Sequence, residues 1–201
     1  MLILGLTGPT GAGKTFFSEI LKARGYSVLN ADALYHSMLL PPSPTLDAIR
    51  LEFGNGFFAE DGSLDRKKLG AYVFAEKERL ERLNKTVLPL VITEIKKIAD
   101  TCEKSGEELF VIDAPTLFEA GYDKSCDLTL SILAPRALRA RRISERDKID
   151  ADSALLRIEA QKDDAFYISR SDRIIINELG VSLEEKADEL LFELGLRGKN
   201  E

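Results

Sequence analysis

Five short segments of this 201-residue chain are apolar at almost every position. Strands that are apolar throughout are typical of a parallel sheet covered by helices on both faces. Longer segments with a helical apolar repeat lie between them, as the α/β class requires. We therefore predict one doubly wound α/β domain over residues 1–201, with a five-stranded parallel sheet flanked by helices. The predicted strands are residues 2–6, 26–29, 109–112, 128–133 and 173–176.

A glycine-rich loop follows the first predicted strand and precedes a helical repeat. It reads Gly8-Pro9-Thr10-Gly11-Ala12-Gly13-Lys14-Thr15, which fits the phosphate-loop pattern G-x-x-x-x-G-K-[S/T]. Glycine lets consecutive backbone N–H groups turn toward an anion, and the helix N-terminus adds a favourable potential. Lys14 would contact the terminal phosphates of ATP, and the Thr15 hydroxyl would bind Mg²⁺. The alternative is a flexible turn that matches by chance, but its place between strand and helix favours phosphate binding.

Two aspartates follow predicted strands, at the edge where α/β sheets bind ligands. Asp32 is expected near the glycine loop, where it would accept a proton from an acceptor hydroxyl or help to organise Mg²⁺. Its alternative role is to cap a helix that starts near Ala33. Asp113 ends the third strand and would contact Mg²⁺ indirectly, and its alternative is a turn residue before Pro115.

An arginine-rich helical stretch at 136–168 places Arg139, Arg142 and Arg146 at helical spacing. Arginines there could close over a triphosphate and stabilise charge in the transition state. For any one of them, the alternative is a solvated helix face. His36 is the one histidine of the chain, and we expect it on a helix surface or in an acceptor pocket rather than in catalysis.

Residues 32–107 are too many for a simple crossover between strands. Pro41-Pro42-Ser43-Pro44 interrupts the chain, and helical patterns follow near 66–83 and 86–104. We predict a helical acceptor-binding insertion over 60–107, a helical lid over 136–168 and a last helix over 182–195. Residues 196–201 are expected to form a frayed tail.

Composition disfavours several classes of partner. A net charge of −6 argues against nucleic acid and anionic membranes, and no apolar segment approaches the length of a membrane span. Cys102 and Cys126 lack metal-binding spacing, which predicts free thiols in a reducing cytoplasm. Asn84-Lys85-Thr86-Val87 lacks the aspartate of a guanine-reading N-K-x-D motif, so a switch GTPase is disfavoured. The oligomeric state is not predicted by the sequence.

Taken in order, several segments resemble the dephospho-CoA kinase family from Gly5 to about Gly180. The resemblance implies a P-loop kinase fold that transfers the γ-phosphate of ATP to the ribose 3′-hydroxyl of dephospho-CoA, with Mg²⁺ as cofactor. Besides the glycine loop, the matching segments are NAD at 30–32, FGNGFFAEDGSLDRKKLGAYVF at 53–74, APTLFE at 114–119, CDLTL at 126–130, RRISERD at 141–147, RIEAQ at 157–161 and SDRIIINELG at 171–180.

The resemblance also implies roles for individual residues. Asp32 falls on the family's proposed catalytic base, and Lys14 and Thr15 take the phosphate and Mg²⁺ roles. Arg142 and Arg146 match the lid, and Asn177 with its neighbours falls where the adenine of ATP binds. The matched regions around the acceptor, together with His36, predict an acceptor-binding set of His36, Asp61, Leu64, Leu117, Phe118 and Glu119.

The chain departs from the family pattern at three places. Asn30 stands where an aspartate is common, Leu88 where a histidine commonly precedes Pro89, and Pro9-Thr10 where Gly-Ile is usual. The loop change falls at variable positions, whereas loss of the histidine removes a polar contact to the acceptor. Two other hypotheses therefore stay open. One is a P-loop kinase acting on another nucleoside, nucleotide or small metabolite, and the other is a nucleotide-responsive binding module without turnover.

Overall fold

The computed structural model of the protein describes residues 1–196, so the tail expected at 196–201 lies outside the described residues apart from Leu196. Short 3-10 helices occupy Asn55–Phe57 and Tyr122–Ser125. The strands are β1 (Leu2–Thr7), β2 (Ser27–Asn30), β3 (Leu109–Asp113), β4 (Leu128–Leu133) and β5 (Arg173–Ile176). The α-helices are α1 (Lys14–Ala23), α2 (Ala31–Met38), α3 (Pro44–Phe53), α4 (Arg66–Phe74), α5 (Lys77–Lys104), α6 (Arg136–Asp147), α7 (Ala151–Glu159), α8 (Asp164–Ile168) and α9 (Leu183–Glu193).

The chain divides into two compact units. The sheet unit consists of Met1–Leu29 together with the chain from Cys102 onward, and the helical unit is Asn30–Thr101. Among the described residues, no helix has the length and apolar character needed to cross a bilayer.

The strands of the described chain form one five-stranded sheet in the order β2-β3-β1-β4-β5. The central strand β1 pairs in parallel with β3 and β4, and β4 pairs in parallel with β5. Leu4 of β1, for example, lies between Val111 of β3 and Leu128 of β4. The predicted five-stranded parallel sheet flanked by helices is confirmed. Because the strands run parallel, the loop after β1, Asp113 and Asn177 all lie at the carboxyl edge of the sheet.

The core of the sheet unit explains why one face of β1 is apolar. Leu4 and Leu6 are completely buried, and Phe17 and Leu21 of α1 pack in the same core. Burying one such side chain contributes about 1.5–3 kcal/mol. α1 and α9 share this core, which Ala187 of α9 joins. The apolar stripe of α1 therefore fixes the helix that follows the glycine loop.

The helical unit shows where the sequence prediction of helix boundaries was wrong. The break expected near 84–85 lies instead at residues 75–76, where the Glu76 carbonyl accepts the first N–H groups of α5 from Arg79 and Leu80. α5 then passes through Pro89, which has no N–H to donate to the preceding turn. Val87 and Val91 are buried on one face of α5, and this packing maintains the helix on both sides of the proline.

A helix directly after the proline-rich break was not predicted. The Ser43 hydroxyl accepts a hydrogen bond of 3.1 Å from the Thr45 N–H, and Pro44 is the first residue of α3. Serine at the N-cap and proline at the first helical position are both favoured, because proline fixes a helical φ and its missing N–H is not needed there. The proline-rich segment at 41–44 therefore also supplies the N-cap and the first residue of α3.

The predicted lid region at 136–168 consists of three helices. α6 ends where Lys148 adopts a left-handed conformation with φ 54°. The Asp150 carboxylate then caps α7 by accepting from the Ser153 N–H at 2.8 Å, and Asp163 caps α8 in the same way. The charge density that suggested one long helical stretch therefore includes two capping aspartates.

Candidate functional site

The glycine loop, residues 8–15, joins β1 to α1 at the carboxyl edge of the sheet. Gly13 occupies the N-cap position of α1 and has no side chain to bond the first turn. The N–H groups of a first helical turn have no acceptor within the helix and carry the positive end of its dipole. The loop and helix start together form a binding site for an anion such as phosphate.

Two glycines of the loop leave no room for a side chain. Gly8 has φ +144°, and a Cβ there would lie 2.2 Å from the carbonyl oxygen of Ile132. Gly13 has φ +105°, and a Cβ there would lie 2.2 Å from Nδ2 of Asn177. Residues with a side chain rarely adopt these φ values, and both separations are far below van der Waals contact. The two glycines are therefore required by the packing of the loop itself.

A cavity of about 550 Å³ opens over the loop, entirely within the sheet unit. Cavities that hold small-molecule ligands have volumes of about 300–1,000 Å³. Its lining combines backbone of the loop with Lys14 and two arginines, and these cationic groups suit a phosphate chain. The lining residues are Gly8, Pro9, Thr10, Gly11, Gly13, Lys14, Thr15, Phe16, Pro115, Arg142, Arg146 and Gln161.

Lys14 is paired with Asp113 at the end of β3. Their side chains are 12% and 4% exposed, and Asp113 also accepts a hydrogen bond of 3.0 Å from the Ser18 hydroxyl. Asp113 is the last residue of β3 and lies opposite Leu6 of β1, so the alternative of a turn residue before Pro115 is wrong. The pair holds the Lys14 ammonium beside the loop, and the extra hydrogen bond helps to offset the cost of burying the carboxylate.

Two of the predicted lid arginines both contact the loop and line the cavity. Arg142 donates to the carbonyl oxygens of Gly11 at 3.2 Å and Ala12 at 3.4 Å. Arg146 reaches the Thr10 hydroxyl at 3.5 Å and makes two hydrogen bonds to Asp147, which raise the pKa of Arg146. Both guanidinium groups line the cavity, so positive charge faces the space where a phosphate chain would lie.

The neighbouring arginines of α6 differ sharply in environment. Arg139 is 4% exposed, and burial lowers its pKa in spite of the nearby Asp164 carboxylate. Its Nε donates to the Thr10 carbonyl at 3.0 Å. Arg141 is largely exposed and pairs with Glu145 one turn along the helix. The alternative of a solvated charged face is therefore wrong for Arg139, whereas Arg141, for which no role was predicted, does face solvent.

Asn177 supports the loop from the end of β5. It is buried, its Nδ2 donates to the Ala12 carbonyl at 2.7 Å, and its Oδ1 accepts from Arg142 at 3.3 Å. Both ends of the Asn177 side-chain amide are therefore hydrogen-bonded within the protein. The following residues Glu178 and Leu179 are exposed, and adenine binding at Asn177 and its neighbours stays a prediction.

Asp32 lies in the first turn of α2, in the helical unit. The N-cap of α2 is Asn30, whose Oδ1 accepts from the Ala33 N–H at 2.8 Å, so the alternative role of Asp32 as the cap is wrong. The departure at Asn30 is thereby explained, because asparagine and aspartate cap helices about equally well. The Asp32 side chain is exposed, and its carboxylate is available to a ligand. Its role as catalytic base stays a prediction.

Three residues of the predicted acceptor set lie in the helical unit. His36 is exposed, and its backbone carbonyl accepts from Arg66 at 3.2 Å. Asp61 accepts from the hydroxyl and the N–H of Ser63, and these bonds hold the pKa of Asp61 below its usual value. Leu64 is half-buried and forms an isolated antiparallel bridge with Phe58. None of these contacts tests acceptor binding, which stays a prediction for all three.

The other three predicted acceptor residues lie in the sheet unit, after β3. Leu117 is completely buried, and its methyl carbons lie 2.8 and 3.2 Å from the position that a Cβ on Gly5 would take. Phe118 packs edge to face on Phe166 at 6.1 Å, and Glu119 is exposed. Phe118 and Glu119 therefore present surface to a ligand, whereas the Leu117 side chain belongs to the core.

The carboxylate of Glu119 affects the pKa of Tyr167 in the same region. Burial and, to a smaller extent, the nearby carboxylate of Glu119 raise the pKa of Tyr167 to about 12. The Arg139 guanidinium acts in the opposite direction on the same hydroxyl. Tyr167 is therefore a neutral hydroxyl at physiological pH and carries no charge into the site.

Oxygen atoms suited to Mg²⁺ are present beside the loop. The Thr15 hydroxyl is exposed at the cavity, and the Asp113 carboxylate lies at the end of β3. Within residues 1–196 no group of three or more His, Cys, Asp or Glu side chains could hold a metal. Mg²⁺ at phosphoryl-transfer sites takes one or two protein oxygens and completes its shell with substrate phosphates and water. The residues present fit that kind of site.

Gln161 and Ser18 belong to the site but were not assigned from the sequence. Gln161 lines the cavity and accepts from the Thr10 N–H at 2.9 Å. Ser18 bonds Asp113 from the second turn of α1. The resembling segment RIEAQ ends at Gln161, and this was the one signal that could have indicated it. Ser18 had no signal, because a serine inside a helix most often faces solvent or its own backbone.

The fold and the site define a phosphate-loop protein of the kinase architecture. A shikimate kinase from Acinetobacter baumannii shares this fold, with a TM-score of 0.54 at 16% identity, covering 100% of this chain and 96% of that one. A crystal structure of TT1252 from Thermus thermophilus is more similar, with a TM-score of 0.78 at 28% identity over 96% of this chain and 97% of that one.

Similarity of sequence identifies the family. The family model described as dephospho-CoA kinase matches residues 2–182. Dephospho-CoA kinases from Symbiobacterium thermophilum and Fusobacterium nucleatum are each 36% identical over 177 residues, which is 88% of this chain and 74% and 90% of those proteins. The structure of the Campylobacter jejuni dephospho-CoA kinase has a TM-score of 0.69 at 26% identity over 96% of each chain. The chain belongs to the dephospho-CoA kinase family.

Proposed function

We propose that this protein transfers the γ-phosphoryl group of ATP to the ribose 3′-hydroxyl of dephospho-CoA, giving coenzyme A and ADP. The observation that carries the proposal is membership of the dephospho-CoA kinase family over residues 2–182. The cavity over the glycine loop, with its cationic side chains, supports the ATP half of the reaction. ATP and dephospho-CoA are the substrates, and we place the reaction in the cytoplasm.

The donor half of the reaction rests on the loop and three cationic side chains. The loop N–H groups would bind the β- and γ-phosphates, and Lys14 would leave Asp113 to contact the transferring group. Arg142 and Arg146, which line the cavity, would stabilise charge on the phosphoryl oxygens during transfer. Mg²⁺, when bound, would offset the charge of the phosphates, and Thr15 with Asp113 would hold it. Adenine would lie against Asn177 and its neighbours.

The acceptor half of the reaction rests on Asp32. Its carboxylate would accept the proton of the 3′-hydroxyl as that oxygen attacks the γ-phosphorus and the bond to the β-phosphate oxygen breaks. Support comes from its exposure and from the Asn30 cap, which leaves the Asp32 oxygens free of the helix backbone. We further propose that residues 60–107 form the acceptor-binding insertion and that residues 136–168 form the lid.

The function is tested by ADP release in a coupled assay, with and without dephospho-CoA. Strong ADP production only with dephospho-CoA is expected, and phosphorus NMR would place the new ester at the 3′-oxygen. A strong preference for a nucleotide that lacks the pantetheine arm would instead support a kinase with another acceptor. MgATP binding without transfer to any acceptor would support a binding module.

The base assignment is tested by Asp32→Asn. We expect kcat to fall about 10²–10⁴-fold, because general base catalysis contributes roughly that much, while the Kd for MgATP changes little. Asp47→Asn is the matched control, since Asp47 also lies in the first turn of a helix and is exposed. Wild-type turnover in Asp32→Asn would eliminate Asp32 as the base.

A further inference from the structure

The carbonyl groups of three consecutive loop residues are each bonded to a side chain outside the loop. Thr10 accepts from Arg139 at 3.0 Å, and Gly11 accepts from Arg142 at 3.2 Å. Ala12 accepts from Asn177 at 2.7 Å. The donors come from α6 and from the residue after β5, so two separate elements hold one side of the loop.

This one-sided bonding orients the opposite side of the loop. In a trans peptide the C=O and the following N–H point in opposite directions. When the Thr10 and Ala12 carbonyls face α6 and β5, the N–H groups of Gly11 and Gly13 face away from them. Gly11 and Gly13 both line the cavity. The side chains behind the loop therefore aim its amides toward the place where phosphate would bind.

Thr10, at the tip of the loop, is held on both of its peptide groups. Its N–H donates to Gln161 Oε1 at 2.9 Å, and its carbonyl accepts from Arg139 Nε. The same Gln161 oxygen lies 3.5 Å from Nη2 of Arg139. Gly11 packs directly on α6, because a Cβ there would lie 2.9 Å from the Arg139 carbonyl oxygen. The Arg139–Gln161 pair thus fixes the loop tip against the helices of 136–168.

Arg139 differs from the two arginines that line the cavity. It is nearly buried and absent from the cavity lining, so it has no surface to offer a phosphate chain. The nearest carboxylate, Asp164, is 3.5 Å away and itself half exposed. A buried guanidinium with so weak an ionic partner is costly to keep, and its shortest hydrogen bond is the one to the Thr10 carbonyl.

We propose that Arg139 and Gln161 are positioning residues for the ATP phosphates, acting through the Thr10 backbone. This inference rests on the proposed function only in taking ATP as the ligand of the loop. The two side chains set the directions of the loop N–H groups before ATP binds, so that binding does not have to order the loop. Their effect falls on MgATP affinity and leaves affinity for the acceptor unchanged.

The test measures the Kd for MgATP by calorimetry without acceptor, KM for each substrate, and the urea midpoint of each variant. Gln161→Leu removes the acceptor of the Thr10 N–H at an exposed position and is expected to raise the MgATP Kd about 3- to 10-fold, the loss that one ordinary hydrogen bond produces. Gln161→Glu keeps an acceptor oxygen but adds a negative charge beside the phosphates, so at raised ionic strength, where that repulsion is screened, it should stay within about 3-fold of wild type under the same conditions. Arg141→Gln, an exposed arginine on the same helix, is the control and should change nothing.

Combining substitutions tests whether both side chains act on one peptide segment. Arg139→Gln should raise the MgATP Kd by a similar factor, and the Arg139→Gln/Gln161→Leu double variant should raise it by less than the product of the two. If the factor for the double variant equals the product of the two single factors, the two side chains act independently and the inference is overturned. Should Arg139→Gln prove unstable, the Gln161 pair of variants still decides the question.

Three results would overturn the inference: an unchanged MgATP Kd in Gln161→Leu, an equal loss of affinity for both substrates, or a loss of affinity that tracks the urea midpoint. Failure of the proposed function has a different signature. In that case the wild type releases no ADP with dephospho-CoA, while the Kd for MgATP remains measurable and still reports on Arg139 and Gln161.

Discussion

Replacing Gly13 with alanine separates two costs that the structure assigns to this position. The first is backbone strain at φ +105°, worth about 1–2 kcal/mol for a residue with a Cβ. The second is displacement of Asn177, since the new Cβ would lie 2.2 Å from its Nδ2. Displacement breaks the hydrogen bond to the Ala12 carbonyl in a buried setting, which costs about 1–2 kcal/mol more. We therefore expect Gly13→Ala to lower the free energy of unfolding by about 2–4 kcal/mol.

Gly106→Ala is the matched control within the same unit. Gly106 has φ +78° but no atom within 4 Å of the position of an added Cβ. Gly106→Ala should therefore lower the free energy of unfolding only through backbone strain. The net loss is about 1 kcal/mol, because alanine also reduces the conformational entropy of the unfolded chain. The assay is urea denaturation followed by circular dichroism. An unchanged slope m would show that each variant exposes the same surface on unfolding.

A double-mutant cycle with Asn177→Ala identifies the second cost. Asn177→Ala removes the atom that the new Cβ would strike, so Gly13→Ala in that background should cost no more than Gly106→Ala. Strict additivity of Gly13→Ala and Asn177→Ala, or equal costs for Gly13→Ala and Gly106→Ala, would refute the steric reasoning. The MgATP Kd of Gly13→Ala should also rise, because Asn177 supports the loop carbonyls.

Two further predictions concern single hydrogen bonds. Asn30→Asp should leave stability within about 0.5 kcal/mol of wild type because the α2 cap is kept, whereas Asn30→Ala should lower it by about 1 kcal/mol in the same urea assay. Asp172→Asn should lower stability at pH 7 by about 0.5–1 kcal/mol, since the hydroxyl and N–H of Thr129 donate to that carboxylate and lower the pKa of Asp172 at a screened, exposed position. This stabilisation is present above the unfolded pKa of about 4 and is lost as pH falls through the lower folded value, so the urea midpoints of wild type and Asp172→Asn should converge in acid, and a constant difference from pH 7 to pH 3 would contradict it.

The sheet and the loop could be predicted because their signals are local. Leu4 and Leu6 lie on one buried face of β1, Gly5 on the opposite face packs against Leu117, and the loop pattern lies within eight consecutive residues. The helix boundary at residues 75–76 could not be predicted in the same way. The break expected near 84–85 falls inside α5, where burial of Val87 and Val91 on one face maintains the helix and offsets the backbone hydrogen bond lost at Pro89.

The side chains behind the loop were less predictable because their role depends on distant partners. Arg139 and Arg141 lie two positions apart on α6 and look equivalent as sequence, yet one is buried against Thr10 and the other faces solvent. Helical spacing shows which residues share a face, but not which face meets the loop. Gln161 bonds a residue 151 positions earlier in the chain, and no local pattern encodes such a pairing.

The strand order has a consequence for the timing of synthesis. β1 is the central strand, but its partners β3 and β4 begin at Leu109 and Leu128, with the whole helical unit between. At about 5–20 residues per second, a ribosome needs roughly 5–20 s after making β1 to make its first partner strand. Throughout that interval the apolar Leu2-Ile3-Leu4 segment has both hydrogen-bonding edges unpaired, in the form most prone to non-native strand pairing. The part of the chain that carries the phosphate loop is thus synthesised well before either strand that pairs with β1.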